Sequence, residues 1–542
     1  MQLKVTDESK FSEGRLRSKM SKTDELVEFL SKYSLEDVLS GVIEMQMLLY
    51  GNGVDSLISA SEYFATNALF ACKESGDESF EWEQYLKLEK YCKETFAPNI
   101  EELFTETLKM VNSTVEEKEA FLQAQHMKLK NMAFRGDGYI HQLISLAEKL
   151  YSPLDQEIKT KLGFSFTSCK KMILYIFHTY GVRAEKAYSE KYKVKNIIKA
   201  FCGRTKPQLP SIKEGYIFRI NKNNLRSAIG SEEVDYICDY LSVRAFAGDY
   251  KKVDLAEFKI LISKPFVDFG EYIYMPLLFS SLMNLPKLFH YTFISEKIFD
   301  KKVVGIYTQN RGEVIEDLTQ MYFERIVNKE NILRSLKYTD EDGEADVTVC
   351  KLEGTLFCEC KSKILTLNAL KGINGDIKKD VYKAIGAAYA QGIRSIKRIQ
   401  EGKAFIECVD GTEKEVHIDD TAVKYIVCVT AENFGIIPSE ITKYIEIDKV
   451  VNIVPYVVNI YDLDIITQEC NSYEKFLGYL NFRQKNHKFI SAVDELDVFG
   501  FYNVHGNREI EIEGDELYIT AYTQQFDRKY VKKDKEYLQN YK

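Results

Sequence analysis

Tryptophan occurs once in 542 residues, proline nine times and histidine seven times. The eleven cysteines form no CxxC pair and no His/Cys cluster at zinc spacing, which excludes a zinc finger or ribbon. Reduced thiols that fill cores, in a cytoplasmic chain, are the expectation. Neither a Walker A loop nor GxGxxG is present, so an intrinsic nucleotide-driven motor is excluded. Asp268-Phe269-Gly270 spells a kinase tripeptide, yet no Gly-rich loop or catalytic His-Arg-Asp precedes it. The most apolar long window, 274–294, is broken by Pro276, Asn284 and Pro286 and carries Lys287 and His290, so no membrane span and no membrane partner is expected. Residues 1–7 hold no apolar run, and no secretory leader is expected.

What is present is ordinary globular composition, 45% hydrophobic and 29% charged, in a chain long enough for two or three units. The net charge of −9 argues against indiscriminate coating of nucleic acid, so any phosphate-binding face must be local. Apolar residues recur at threes and fours in 25–34, 36–49, 55–72, 100–111, 117–133 and 138–151, which predicts an α-helical region over 1–203. The stretch 203–210, polar and with two prolines, reads as a linker. A mixed α+β segment follows over 204–304, with strands expected at 216–221, 258–263 and 271–275. An α/β unit spans 305–485 and a C-terminal extension spans 486–542, its tail from Asp527 expected to be exposed. Within the α/β unit, 424–430 and 456–466 read as strands, 404–408 and 415–418 as a hairpin, and 471–483 as a helix capped by Asn471 or Ser472.

The chemistry is concentrated in one hairpin. Apolar runs 345–352 and 355–362 flank Glu353-Gly354, which reads as a tight turn. Alternation puts Phe357, Glu359 and Lys361 on one face and Leu356, Cys358 and Cys360 on the other. Asp346 opens the partner strand, so the hairpin would gather two carboxylates and an amine. The same Glu-x-Lys spacing at Glu116-Glu117-Lys118 lies in a helical pattern and reads as a solvated face, so the spacing alone means little.

Asp346 followed by Glu359-Cys360-Lys361 resembles the PD-(D/E)XK phosphodiesterase superfamily, the restriction-endonuclease-like nucleases, over residues 305–430. The resemblance implies an α/β nuclease core in the C-terminal half, a mixed central sheet flanked by helices, behind a largely α-helical N-terminal region. It implies an endonuclease in which Asp346, Glu359 and the backbone carbonyl of Cys360 hold Mg²⁺ or Mn²⁺, and Lys361 orients or deprotonates the attacking water. A glutamate on the preceding helix is also implied. Glu316, in the amphipathic run from 312 to 326, takes that role, with Glu313 as the alternative. A second helix, 376–400, would complete the site through Lys383, Tyr389 or Gln391. These residue types suit phosphodiester hydrolysis because a hard cation takes few carboxylates, neutralises phosphate charge and acidifies water, while an amine beside it serves proton transfer and charge stabilisation.

Ten Lys and Arg stand against three acidic residues between 361 and 403. Lys363, Lys378, Lys379, Lys383 and Arg394 are therefore candidate phosphate contacts. DNA is the expected substrate and RNA the alternative, because the hairpin chemistry is indifferent to a 2′-hydroxyl. A competing reading is an inactive nuclease-fold scaffold or nucleic-acid-binding protein. An acidic chain would be helped to grip its substrate by a second copy or a partner protein. Large prokaryotic proteins of this composite type are often found in defence against foreign DNA, an association implied by the resemblance alone.

Overall fold

The computed structural model describes residues 21–49, 56–80, 136–191, 217–506 and 517–540, with isolated positions between 81 and 135, and excepting 231, 255, 256, 258, 295, 371 and 410. The expected helix at 100–111 and the linker at 203–210 lie outside these residues, and 117–133 is described only at scattered positions.

In the N-terminal half the described residues are mostly helical. Helices Lys22–Leu30, Leu35–Leu49 and Ser56–Ala71 pack together, and Ile140–Tyr151 and Phe166–Lys191 follow. In the second helix Leu35, Val38, Leu39, Val42 and Ile43 are fully buried, the three-and-four spacing that drives a helix onto a core. Each such side chain contributes about 1.5–3 kcal/mol of burial. Between the halves lies a four-stranded sheet of very short strands, Ile220–Asn221, Tyr272–Tyr274, Phe266–Asp268 and Ser242–Arg244 in spatial order. The strand expected at 258–263 is not one, since Ile260–Ser263 forms a single helical turn. That turn stops at Lys264, which precedes Pro265 and is pushed out of the helical region by it (φ −125°, ψ 82°).

The C-terminal half is organised by a seven-stranded mixed sheet. Helix α1 (Lys301–Phe323) precedes strands β1 (Ile332–Tyr338), β2 (Glu344–Lys351) and β3 (Gly354–Lys361), an antiparallel meander. Helices α2 (Asn374–Val381) and α3 (Ala387–Gln400) are joined by a π-helical turn, Tyr382–Gly386, so the single α-helix expected over 376–400 is interrupted. A hairpin, β4 (Phe405–Val409) and β5 (Thr412–Val416), adds to the β1 edge. Strand β6 (Lys424–Thr430) then runs parallel to β3, and β7 (Tyr456–Asn459) parallel to β6. The order across the sheet is β7-β6-β3-β2-β1-β4-β5.

The sheet separates two cores. Leu356, Cys358 and Cys360 of β3 join Val427 and Val429 of β6 on the face covered by α1 and the helical half. Phe357, Ile426 and Cys428 join Ala384, Ile385, Ala388 and Ile393 on the face covered by α2 and α3. The predicted alternation along β3 therefore matches its two-sided burial.

Three other expectations need correction. The hairpin turns at Leu352-Glu353, and Gly354 already pairs with Lys351, one residue earlier than the apolar runs suggested. Its backbone is packed so close to Leu477 and Tyr425 that a side chain would crowd it. The apolar run 456–466 holds a strand only to Asn459, whose side chain caps helix α4 (Ile460–Cys470) at Tyr461 and Asp462 and so switches the chain from strand to helix. Helix α5 (Tyr473–Asn486) starts after Ser472, which caps it, while Asn471 ends α4 in the left-handed region (φ 58°). The tail is not wholly exposed: helix Gln524–Gln539 buries Phe526, Tyr530 and Asp534. Among the described residues no helix is long and apolar enough to cross a membrane.

Candidate active site

The candidate residues collect where β2 and β3 part. Their ladder pairs Val347 with Cys358, and the next step would set Asp346 opposite Glu359, but pairing stops there. On the other side of β2, the β1 ladder pairs Arg334 with Val347 and Leu336 with Ala345 and skips Ser335 and Asp346. Ser335 has φ 47°, a left-handed backbone that a serine adopts only where its surroundings impose it. The faces also switch at this point, because Val347 and Val349 lie in the α1-side core and Ala345 in the α3-side core. The irregularity frees Asp346 from the alternation and turns its carboxylate into the gap between the strands.

Asp346 is almost fully buried and saturated with donors. Its Oδ2 accepts from the Cys360 N–H at 2.7 Å and from Lys361 Nζ at 3.2 Å, and its Oδ1 accepts from Gln391 Nε2 at 3.0 Å. Gln391 closes the ring, accepting from Lys361 Nζ at 3.0 Å through Oε1 and donating also to the Glu344 carbonyl. The amide orientation follows from this network, in which each of its ends meets the complementary group. Burial works against the charge of Lys361, but Asp346 and Glu359 outweigh it and raise the pKa of the amine.

Glu359 is the opposite case. It is 0% exposed, and among the described residues neither Oε1 nor Oε2 meets a hydrogen-bond donor. The Asp346 backbone N–H lies near enough to favour the carboxylate slightly without reaching bonding geometry. Burial, and then the charge of Asp346, hold the Glu359 pKa well above the ordinary carboxylate range, with Lys361 and Arg394 easing it less.

Glu316 faces the site from α1. It pairs with Arg334 of β1 at 3.1 Å, and Arg334 also pairs with Asp317. Burial and the Asp346 charge raise its pKa to about 7 against the opposing pull of Arg334. Glu313 is exposed and holds Gln309. Tyr389 is spent elsewhere, its hydroxyl donating to the Ile453 carbonyl and accepting from the Asp448 N–H.

The residues present suit a hard divalent cation. A carboxylate buried without partners is unfavourable by itself, and a cation between Glu359 and Asp346 would satisfy it. In a strand, the N–H and C=O of one residue point to the same side. The Cys360 N–H points at Asp346, so its carbonyl faces the same gap, whereas the Lys361 carbonyl faces β6 and accepts from Ala431 N–H at 3.2 Å. The Cys360 thiol points away, toward Thr319. Among the described residues no three His, Cys, Asp or Glu side chains gather as a metal cluster. A set of two carboxylates, a main-chain carbonyl and water fits Mg²⁺ or Mn²⁺ better than Zn²⁺.

The basic surplus is partly consumed within the fold. Lys363 is not a free phosphate contact, because it pairs with buried Asp380 at 3.0 Å and donates to the Ile364 carbonyl. Asp380 in turn holds Thr366, so this pair shapes the turn leaving β3. Lys397, Arg398 and Lys403 are likewise bound to Asp448 and Asp340. Lys378, Lys379, Lys383 and Arg394 are exposed. Arg394 makes no ion pair among the described residues and lies over the Tyr338 ring, 5.5 Å from its centre, beside Gly343 at the site's edge. Sequence reading missed Arg334, and its one signal was a guanidinium set among the apolar residues of a strand. No family model matches the chain, and no curated protein or solved structure does so either.

Proposed function

We propose that this chain is a Mg²⁺- or Mn²⁺-dependent nuclease that hydrolyses phosphodiester bonds in DNA, on a core of the PD-(D/E)XK type. The observation that carries the reading is the buried carboxylate of Glu359, left without a partner beside Asp346 and Lys361. The element order supports it: a helix bearing Glu316, an antiparallel meander bearing Asp346, Glu359 and Lys361, a helix bearing Gln391, and a strand parallel to β3. A buried acid without a structural partner, its ionisation opposed by burial, is a feature more often kept for function than for stability.

Asp346, Glu359 and the Cys360 carbonyl would hold the cation, which when bound supplies charge neutralisation at the phosphate and a more acidic water. Lys361, aimed by Asp346 and Gln391, orients that water and stabilises the negative charge that builds on the phosphate. Gln391 fixes the amine and the carboxylate relative to each other. Glu316, with its pKa of about 7, stands at the α1 side of the site as a group able to exchange a proton near neutral pH. Arg394 and the exposed lysines 378, 379 and 383 engage the nucleic-acid backbone. A role in defence rests on the resemblance alone.

Calorimetric titration with Mn²⁺ tests the reading. Native protein is expected to bind and Asp346→Ala to lose binding. Absence of binding by native protein, or binding that Asp346→Ala leaves intact, overturns it.

A further inference from the structure

The chain that leaves β3 after Lys361 is fastened by groups that take no part in the chemistry above. Arg311, on α1, is 6% exposed, and no carboxylate among the described residues pairs with it. Its Nη2 donates to the Ser362 carbonyl, the first beyond Lys361, and its Nη1 donates to His290 Nδ1 at 2.5 Å. Burial and Arg311 itself hold the His290 ring neutral, with a pKa lowered to about 3. The Tyr307 ring lies 5.5 Å from the guanidinium. Farther on, the Leu365 N–H donates to Glu432 at 2.7 Å and its carbonyl accepts from Tyr291 at 3.2 Å. Glu432 is clasped by Lys130 at 3.3 Å and by Lys287 at 2.7 Å, and Lys287 also pairs with Asp137.

A buried guanidinium facing only neutral acceptors is unfavourable, and an apolar side chain would fill the same space more cheaply. Its geometric effect is specific. Up to residue 361 the strand end is held laterally by Asp346 on one side and Ala431 on the other. Beyond it, Arg311 supplies the next hold. We propose that Arg311 is a positioning residue: through the Ser362 carbonyl it fixes the strand end that presents Lys361 and the Cys360 carbonyl. Groups from the N-terminal half, through Lys130, Asp137 and Lys287, then become part of the site's support. The kinetic consequence rests on the nuclease reading, whereas the structural consequence can be measured without it.

The test compares full-length native protein, Arg311→Met and Arg311→Lys by hydrogen–deuterium exchange and by Mn²⁺-dependent DNA cleavage. In Arg311→Met, exchange should accelerate in the peptide spanning 360–366, which includes the Cys360 and Leu365 amides, and not across the chain. Its kcat should fall about 100-fold with KM little changed, the scale of loss when a catalytic group is slightly misplaced. Arg311→Lys keeps the charge and one donor and should recover part of both effects. If Arg311→Met fails to fold, Arg311→Lys decides alone by intermediate changes in the same peptide and in kcat. Unchanged exchange in that peptide, or acceleration spread evenly over the chain, overturns the proposal. Local acceleration in Arg311→Met, with native protein that never cleaves, would uphold the positioning role while removing the nuclease reading.

Discussion

Asp346 and Glu359 stand on neighbouring strands in opposite hydrogen-bonding states: among the described residues the first holds three donors and the second none. The two carboxylates would occupy one cation site, yet in the protein alone only Asp346 is a stability element. On the proposed reading Asp346 would serve both the fold and the cation, whereas Glu359 would serve the cation alone.

Substitution should expose that asymmetry. Asp346→Ala removes the acceptor of the Cys360 N–H and one acceptor each of the Lys361 amine and the Gln391 amide, and should lower unfolding free energy by about 1–3 kcal/mol. Glu359→Gln removes at constant shape a group whose ionisation burial disfavours, and should leave stability equal or higher. Urea unfolding of both variants reads the difference, and both should lack cleavage. Equal destabilisation would mean that Glu359 is a structural group.

The Gln391 amide bridges Lys361 and Asp346, and its loss should misalign the amine without removing it. Gln391→Ala should reduce kcat by about 10- to 100-fold, the usual range for a group that orients a metal-site residue. Gln391→Glu keeps the acceptor for Lys361 but sets an oxygen against Asp346, so it should be the worse of the two. Steady-state cleavage rates for both variants check this order.

Much of this site was legible beforehand because it depends on local alternation. The spacing of Phe357, Glu359 and Lys361 fixes their shared face in any strand, and Gln391 lies on a strongly periodic helix. The break at Asp346 was not legible, since it depends on Ser335 of a neighbouring strand adopting φ 47°. The burden on Lys363 was hidden for the same reason: Asp380 is distant in sequence and meets it only in the fold. Val457 and Val458 before Asn459 and Ile460 after it are apolar, so the switch from strand to helix had only that one residue between them to announce it.

Acid should weaken the contact between the two halves. Glu432 has its pKa lowered to about 2, because Lys130 and Lys287 outweigh the effect of its burial. Its folded value lies below the unfolded one, so its contribution to stability is complete above the unfolded pKa of about 4.3 and is lost as pH falls toward 2. Denaturant midpoints measured between pH 7 and pH 2.5 should fall across that window. Glu432→Gln should be less stable than native protein at pH 7, and its midpoint should fall less on acidification. A parallel fall in both proteins would contradict the assignment.

Charge contacts to nucleic acid should divide by location. Arg394→Gln should weaken DNA binding and reduce the salt slope by about one counterion. Lys363→Gln should instead act on stability, because its partner Asp380 is buried. Binding isotherms at several salt concentrations, together with melting curves, separate the two.

The most direct measurement is cleavage of supercoiled DNA, single-stranded DNA and RNA by native protein and by Lys361→Ala, with Mg²⁺, with Mn²⁺ and with chelator. The account predicts DNA cleavage that needs the metal and disappears in Lys361→Ala. Intact substrates with either metal, or equal cutting by Lys361→Ala, would contradict it.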